Sequence, residues 1–472
     1  MVKENCETLC IIVTDLINTC FQTAVYPALF KKAIVIPLHK KGDPENLSNY
    51  RGISILPPIS KIIEKCLKTR ILKYFISKKL FTEFQFGFQS GISTQDAILY
   101  LTEKMYANLN DESSTLAVFI DFSKCFNTLK HNILIRKLEA YGIRGLPLML
   151  FVSYLSDRYQ AVRVNGTTSE FKLIRTGIPQ GSVLGPILYL IFVFDLPSIS
   201  NLFSICLFAD DTTLIFENPR KNELVRICNE GMKVFYSWCC ANRLSINISK
   251  TNVMLFSNSL CPFDVYLNDI RIQYASSVRF LGIIIDDKLK FNLQINNFAQ
   301  KISKNAGVLY KLKQYVPNDT LVCIYRSFVE CYLNYCTLIY GNAYTTHLRP
   351  LQIAQKKCIR IIANKPPDAP SIPIFSEFRL LKFLDIYKLN LGVYMHKNID
   401  KFSSYIMRNP YSTRSGTYYI PGNQRLTLTK NQSIVSQGPS CWNNMLDSLK
   451  NCSSIYSFKK SYKKHLFSLY NG

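Results

Sequence analysis

Residues 203–216, FSICLFADDTTLIF, limit the possible folds of this chain more than any other stretch. Two runs rich in β-branched and aromatic residues flank a bare pair of acids. Such runs read as strands over 205–208 and 212–216, with Ala209, Asp210 and Asp211 as the turn of a β-hairpin. Two adjacent carboxylates at a hairpin tip raise each other's pKa unless a cation neutralises them. A hard divalent ion that takes oxygen ligands, Mg²⁺, suits that need. Taken alone, the pair reads first as a solvated turn, because Asp is common in turns.

A second acid changes the reading. Residues 115–122, TLAVFIDF, form a strand with Asp121 at its end. Phosphoryl transfer on two metal ions needs carboxylates from separate strands, bracketing ions about 3.5–4 Å apart. Asp121 and Asp210 can supply that bracket, with Asp211 beside them. Between them lies GIPQGS, residues 177–182, ahead of an apolar run that reads as a helix over 184–194. One Pro and two Gly set a tight turn before the helix N-terminus. Free backbone N–H groups there favour an anion or the polar edge of a ligand.

FADD, with IDFSKCFNTLKH before it and GIPQGSVLGPILYLIF between, resembles the palm of a reverse transcriptase. The phrases NYRGIS, DFSKCFNTLKH and WNNML make the non-LTR retrotransposon enzymes, LINE-like and Jockey-like, the nearest likeness, ahead of intron maturases and telomerases. The resemblance runs from about Tyr26 to His465 and implies an α+β chain with the right-hand polymerase fold. Residues 1–115 would be an N-terminal segment and fingers, and 116–290 a palm with an antiparallel sheet and a primer-grip hairpin. Residues 291–345 would be thumb helices, and 346–472 a basic helical C-terminal extension. The implied activity is RNA-directed DNA polymerisation with two Mg²⁺ ions, Mn²⁺ being the alternative. The implied partners are an RNA template, a DNA primer, their RNA–DNA hybrid and dNTPs.

The same resemblance assigns roles residue by residue. Asp121, Asp210 and Asp211 would hold the metal. Lys40, Lys41 and Arg51 would close from the fingers hairpin onto the triphosphate; by themselves they are basic groups around a loop. Pro179, Gln180 and Gly181 would lie beside the template base and the incoming nucleotide. Phe126, five residues after Asp121, would sit under the sugar and exclude a ribose 2′-OH, although most Phe residues are core. Lys250 would give a proton to departing pyrophosphate. Gly52, Gln89 and Asn127 stand where the family usually has Pro, Arg and Asp.

The charge agrees with such partners. With 57 Lys+Arg against 32 Asp+Glu, the 472 residues carry +25, which points to a polyanion, nucleic acid ahead of a membrane. The 16 Cys show no CxxC pair and no zinc spacing. They read as reduced thiols of an intracellular protein, nuclear or cytoplasmic. Lys3, Glu4, Glu7 and Asp15 break up the opening apolar stretch, so it does not read as a secretory signal. The apolar run at 187–194 is too short to cross a bilayer.

Periodicity predicts further elements. Residues 1–30 read as a helix halted by Pro27. Residues 59–75 read as an amphipathic helix with Ile59, Ile62, Ile63, Cys66, Leu67, Ile71 and Tyr74 inward. Helices are expected at 132–141 and 150–159, and one opened by Asn218-Pro219. In the thumb, Phe298, Ile302, Leu309 and Leu312 share a face opposite Lys301, Lys304 and Lys311. The competing functional reading is a catalytically silent nucleic-acid-binding remnant of a transposon. Charge and fold would be alike in both, and the intact acids favour the enzyme.

Overall fold

The computed structural model describes residues 6–123, 125–257, 264–407, 416–422 and 425–470; Lys3 and Glu4 lie outside them. Helix α1 (Cys6–Thr23) stops short of Pro27. Strands β1 (Lys32–His39) and β2 (Tyr50–Ile55) form an antiparallel hairpin that sets Leu38 opposite Arg51. Helix α2 (Pro58–Ser77) opens on a proline, whose missing N–H costs nothing there. Its buried face is Ser60, Ile63, Glu64, Leu67, Ile71 and Phe75, whereas Ile59 and Ile62, expected in the core, are exposed. The stripe is rotated because Glu64 must face inward, toward backbone donors described below. Helix α3 (Thr94–Asn110) starts with a capping box between Ser93 and Asp96.

Strand β3 (Ser114–Ile120) is buried along its whole length. A helix follows at His131–Ala140, and the next runs over Leu146–Leu155 instead of 150–159. It ends early because Arg158–Val164 is strand β4, which pairs in parallel with β1. Strands β5 (Thr167–Thr168) and β6 (Lys172–Ile174) both pair with β4 and complete a sheet around the β1–β2 hairpin. Helix α4 (Gly185–Val193) leads to strands β7 (Ser204–Phe208) and β8 (Asp211–Asn218), the expected hairpin. Asn218 ends β8 instead of capping a helix; its side chain accepts the Arg220 N–H at 2.7 Å, and helix α5 (Lys221–Ala241) begins after it.

Strand β9 (Asn252–Phe256) precedes a short hairpin of β10 (Tyr266–Leu267) and β11 (Ile270–Arg271), turning at Asn268-Asp269 as read from the sequence. Strand β12 (Gln273–Tyr274) pairs with β9. The stretch 278–286 is itself a hairpin of β13 (Ser277–Phe280) and β14 (Ile283–Asp286). The second five-stranded sheet has the order β12-β9-β3-β8-β7. Alternate residues of β3 enter two cores. Leu116, Val118 and Ile120 cluster with Leu188 and Phe192 of α4 and Phe235 of α5. Ala117 and Phe119 cluster with Leu101 and Met105 of α3. This two-sided burial explains the unbroken apolar run in the sequence. An ionised carboxylate inside it would cost several kcal/mol, so the acid can sit only where the strand leaves the core, at Asp121.

Helix α6 (Asn292–Leu312) buries Phe298, Ile302 and Leu309 against α7 (Thr345–Ile362); Leu312 is half-buried. Helices α8 (Phe383–Asn398), α9 (Ile434–Asn443) and α10 (Ile455–Ser468) are the longest elements beyond α7, with shorter helices and one strand pair between them. One continuous cluster joins α3 with α6 to α10, so the C-terminal helices share a core with the central sheet. A polar anchor reinforces it. Glu103 of α3 accepts the Ser433 hydroxyl at 2.6 Å and the Ile434 N–H at 2.8 Å, capping α9 from outside. The described cysteines form no disulfide, and Cys20, Cys125, Cys206 and Cys358 are buried. No described helix is long and apolar enough to cross a membrane.

Removing that anchor should loosen one end of the chain only. Glu103→Ala leaves buried donors unmet, at a cost of roughly 1–3 kcal/mol. Hydrogen exchange should quicken over residues 425–443 while amides of β3 and β8 keep their protection.

Candidate active site

The β7–β8 turn has two residues, Ala209 and Asp210, between the paired Phe208 and Asp211. Ala209 has φ +56, a left-handed conformation that costs an L-residue roughly 1–2 kcal/mol. A clamp holds it there. Residues 84–87 lie along β7, with the Phe86 N–H on Leu207 O at 2.7 Å and the Leu207 N–H on Phe84 O at 2.9 Å. The buried Gln85 side chain accepts the N–H groups of Gly87 (2.8 Å) and Ala209 (3.3 Å). A Cβ on Gly87 would fall 2.3 Å from the Ala209 nitrogen, so only glycine allows this approach. Gln85 and Gly87 stand in FQFGFQSGIST, a stretch similar to the QFGFRxGxST of reverse transcriptases, but the sequence assigns them no role, because nothing local shows a glycine packing on a turn over a hundred residues away.

The three acids come together. Ile120 pairs with Thr212, so the next step along the register sets Asp121 across from Asp211. Asp121 is held by its backbone: its C=O accepts the Asn247 N–H at 2.7 Å and its N–H reaches Thr251 Oγ1 at 3.3 Å. Asp211 keeps an open face to solvent. Even so, the packing around its carboxyl raises its pKa to about 6, and the charges of Asp210 and Asp121 add to that rise. The repulsion is the part that a cation would reverse. Lys250 Nζ stands 3.9 Å from Asp121 Oδ2, with both groups exposed, a pair worth at most about 1 kcal/mol. Beside Asp210, the Cys125 thiol is pushed up to about 12 by burial and then by the Asp210 charge, which makes it a poor nucleophile.

The donors are all oxygens and suit a hard divalent cation. Among the described residues, no three His, Cys, Asp or Glu side chains converge to cage an ion by themselves. That is how Mg²⁺ is usually held, by one or two carboxylates with water and substrate phosphate oxygens completing the shell.

The GIPQGS loop packs on residues 126–129, which follow Asp121 along the chain. The N–H groups of Gly177 and Ile178 donate to the carbonyls of Leu129 and Phe126 at 2.7 and 2.8 Å. Gln180 Nε2 donates to Asn127 Oδ1 at 3.0 Å, and its carbonyl accepts the Ser54 N–H of β2 at 2.7 Å. Gly181, at φ +133, lies so close to Ser54 that a Cβ would meet its carbonyl oxygen at 2.4 Å. The donors expected to be free at the α4 N-terminus are taken. Glu64 accepts the N–H groups of Val183 (2.6 Å) and Leu184 (3.2 Å), and Ser182 Oγ accepts that of Gly185 (2.8 Å). An anion site at this helix end is therefore corrected to an internal cap, since a fully buried carboxylate already fills it. Glu64 could have been suspected from the sequence, as the one acid among the inward positions of α2.

Phe126 is half-buried and stacks on Tyr189, centroids 4.7 Å apart. Pro179 is buried and Gln180 half-buried. Lys40, Lys41 and Arg51 are exposed on the β1–β2 hairpin. Arg51 lies three residues from Ser54 along β2, about 10 Å, so the Gln180–Ser54 contact ties the basic hairpin to the GIPQGS loop.

Residues 38–285 match the model of the family "Reverse transcriptase (RNA-dependent DNA polymerase)". The chain belongs to the reverse transcriptase family. It is similar to the "RNA-directed DNA polymerase from mobile element jockey" of Drosophila melanogaster, 29% identical over 74% of this chain and 39% of that one. It is equally similar to the "Probable RNA-directed DNA polymerase from transposon BS" of the same fly, 29% identical over 74% of this chain and 40% of that one. This reverse transcriptase chain thus spans about 40% of the length of the curated relatives it matches. An apo telomerase from Candida tropicalis aligns over 80% of this chain and 67% of that one, with a TM-score of 0.43 and 11% identity. Reverse transcriptases as a family work with divalent metal ions.

Asp211 makes the metal-free protein pH-sensitive. Its folded pKa of about 6 lies above the ordinary 3.8. Between those values the folded state holds more protons than the unfolded, so stability falls as pH rises through the window, and the loss is complete above about pH 6. Asp211→Asn should remove that slope in thermal melts and stabilise the metal-free protein above pH 6 by up to about 1 kcal/mol, the scale of a screened surface charge. Added Mg²⁺ should raise the melting temperature of the wild type more than that of the variant.

Proposed function

We propose that this chain is the RNA-directed DNA polymerase of a non-LTR retrotransposon, adding dNTPs to the 3′-OH of a DNA primer on an RNA template. One observation carries the reading: Asp121 at the end of β3 and Asp210-Asp211 at the β7–β8 turn meet across neighbouring register positions, with their charges interacting. In this reading the three carboxylates would hold two Mg²⁺ ions, or Mn²⁺. When bound, the ions would supply neutralisation of the triphosphate and a lowered pKa at the primer hydroxyl.

The chain's own groups do the rest. Lys40, Lys41 and Arg51 bind the triphosphate oxygens. Pro179, Gln180 and Gly181 orient the nucleotide from the loop tied to β2. The 3′-hydroxyl gives up its proton to water as its oxygen bonds to the α-phosphorus and the bond to pyrophosphate breaks, and Lys250 holds a proton for the leaving oxygen. Phe126, braced by Tyr189, closes the space under the sugar. The working division into fingers (1–115), palm (116–290), thumb (291–345) and basic extension (346–472) belongs to the same proposal. The buried thiols support a reducing, intracellular setting. A silent nucleic-acid binder would carry the same charge; the intact acids and the clamp that strains the turn to present them support an enzyme.

Asp121→Asn and Asp210→Asn should each abolish primer extension on poly(rA) with dTTP and Mg²⁺, by about a thousandfold or more, since several kcal/mol of charge stabilisation are lost. Hybrid binding should change little, because it rests on Lys and Arg. Wild-type extension rates in either variant would refute the assignment.

Sugar choice supplies a second expectation. Phe126→Val opens the space that a 2′-OH needs. The ratio of kcat/KM for UTP to that for dTTP should rise about tenfold, equivalent to ~1.4 kcal/mol of relieved overpacking. An unchanged ratio would leave Phe126 as packing alone.

A further inference from the structure

A cleft of about 520 Å³ opens between the first turn of α3, the helical turn at residues 330–334, α8 and α10. Lys397 of α8 and Lys459 and Lys463 of α10 stand in its walls, together with the amides of Asn334 and Asn390. Two acids share the lining. Asp96 is engaged by the backbone N–H and hydroxyl of Ser93, at 2.7 and 2.6 Å, and Glu330 is the other. Among the described residues, none of the three lysines has a carboxylate within 4 Å. Lys397 and Lys459 are exposed and Lys463 is half-buried, so three cations without a carboxylate partner give the cleft a positive, solvent-reachable wall.

The cleft is joined to the acidic turn by a short piece of chain. Lys397 Nζ donates to Gly91 O at 2.8 Å, and Gly87, four residues earlier, packs on Ala209. Four residues reach at most about 14 Å, so a strand in the cleft lies within a few nucleotides of the turn. The volume suits a nucleotide or two of a single strand and is too small for a duplex. Lysines suit phosphates. Asn390 Nδ2 donates to Asn334 Oδ1 at 3.2 Å and Asn334 Nδ2 to the Glu330 carbonyl at 3.0 Å, which leaves amide-oxygen lone pairs as acceptors for the amino edges of unpaired bases.

We propose that this cleft binds the unpaired part of the template RNA, its phosphates on Lys397, Lys459 and Lys463 and its bases against Asn334 and Asn390. The inference rests on the polymerase reading for the identity of the strand. Helix α10 supplies its own control. Phe458, Tyr462 and Leu466 face the core, Lys459 and Lys463 face the cleft, and Lys460 and Lys464 are exposed outside it.

The test measures binding of the full chain, by fluorescence anisotropy over a salt series, to two probes: a primed hybrid with an unpaired oligo(rA) overhang, and the blunt hybrid of the same duplex. The double variant Lys459→Ala/Lys463→Ala should bind the overhang probe roughly fivefold to tenfold more weakly, with a log–log salt slope shallower by about 1.4, two single-strand contacts' worth. Its affinity for the blunt hybrid should stay at the wild-type value. Lys460→Ala/Lys464→Ala, which removes the same charge from the same helix, should leave both probes unaffected. Equal weakening of both probes by the inner pair, or equal weakening of the overhang probe by inner and outer pairs, would overturn the site. The readout needs no catalysis. A wild-type chain that fails to extend a primer counts against the polymerase reading, while the contrast between probes still decides the cleft.

Discussion

The mutual repulsion of Asp121, Asp210 and Asp211 is the constraint on which the rest of the structure depends. Charges of one sign do not gather unless something stronger holds their backbones, and here that is the two-sided burial of β3 and β8. Strands packed on both faces cannot slip by one residue without turning every side chain over. The register that brings Asp121 to Asp211 is therefore held by hydrophobic contacts far from the acids. Burial first, and then the charges of Asp210 and Asp121, raise the pKa of Asp211, and that rise is the residual cost of the arrangement.

Close backbone approaches complete what burial begins. Gly87 lets the 84–87 segment lie on the strained Ala209 turn, and Gln85 satisfies the N–H groups that the turn would leave unmet. Gly181 does the same for the GIPQGS loop against β2. Glu64 holds the start of α4 from inside, where its carboxylate replaces water for two buried amides. Each contact joins segments distant in the chain, so the basic hairpin, the loop and the acidic turn are positioned as one body.

The C-terminal helices extend that body. Through Glu103 and the shared apolar cluster, α7 to α10 pack onto α3, whose first turn follows directly on the loop that clamps the acidic turn. Lys397 of α8 is thereby bonded to Gly91, four residues beyond the Gly87 that packs on Ala209. A basic tail on a flexible linker would not have produced a walled cleft.

Much of this was legible in the sequence. The hairpin at Asp210-Asp211, the strand ending in Asp121, the turn at Asn268-Asp269 and the apolar stripe of α6 follow from local periodicity and turn chemistry, which act over a few residues. Their order along the chain was enough to suggest the family. What the sequence left open was every feature set by a distant partner. The inward turn of α2 depends on amides at residues 183 and 184 meeting Glu64. The early end of the Leu146–Leu155 helix depends on β1 drawing β4 into its sheet. The occupied N-terminus of α4, the clamp by Gln85 and Gly87, and the cleft shared by α3, α8 and α10 have no local signature. Local sequence decides which backbone conformations are cheap; only tertiary packing decides which buried polar groups and charges find each other.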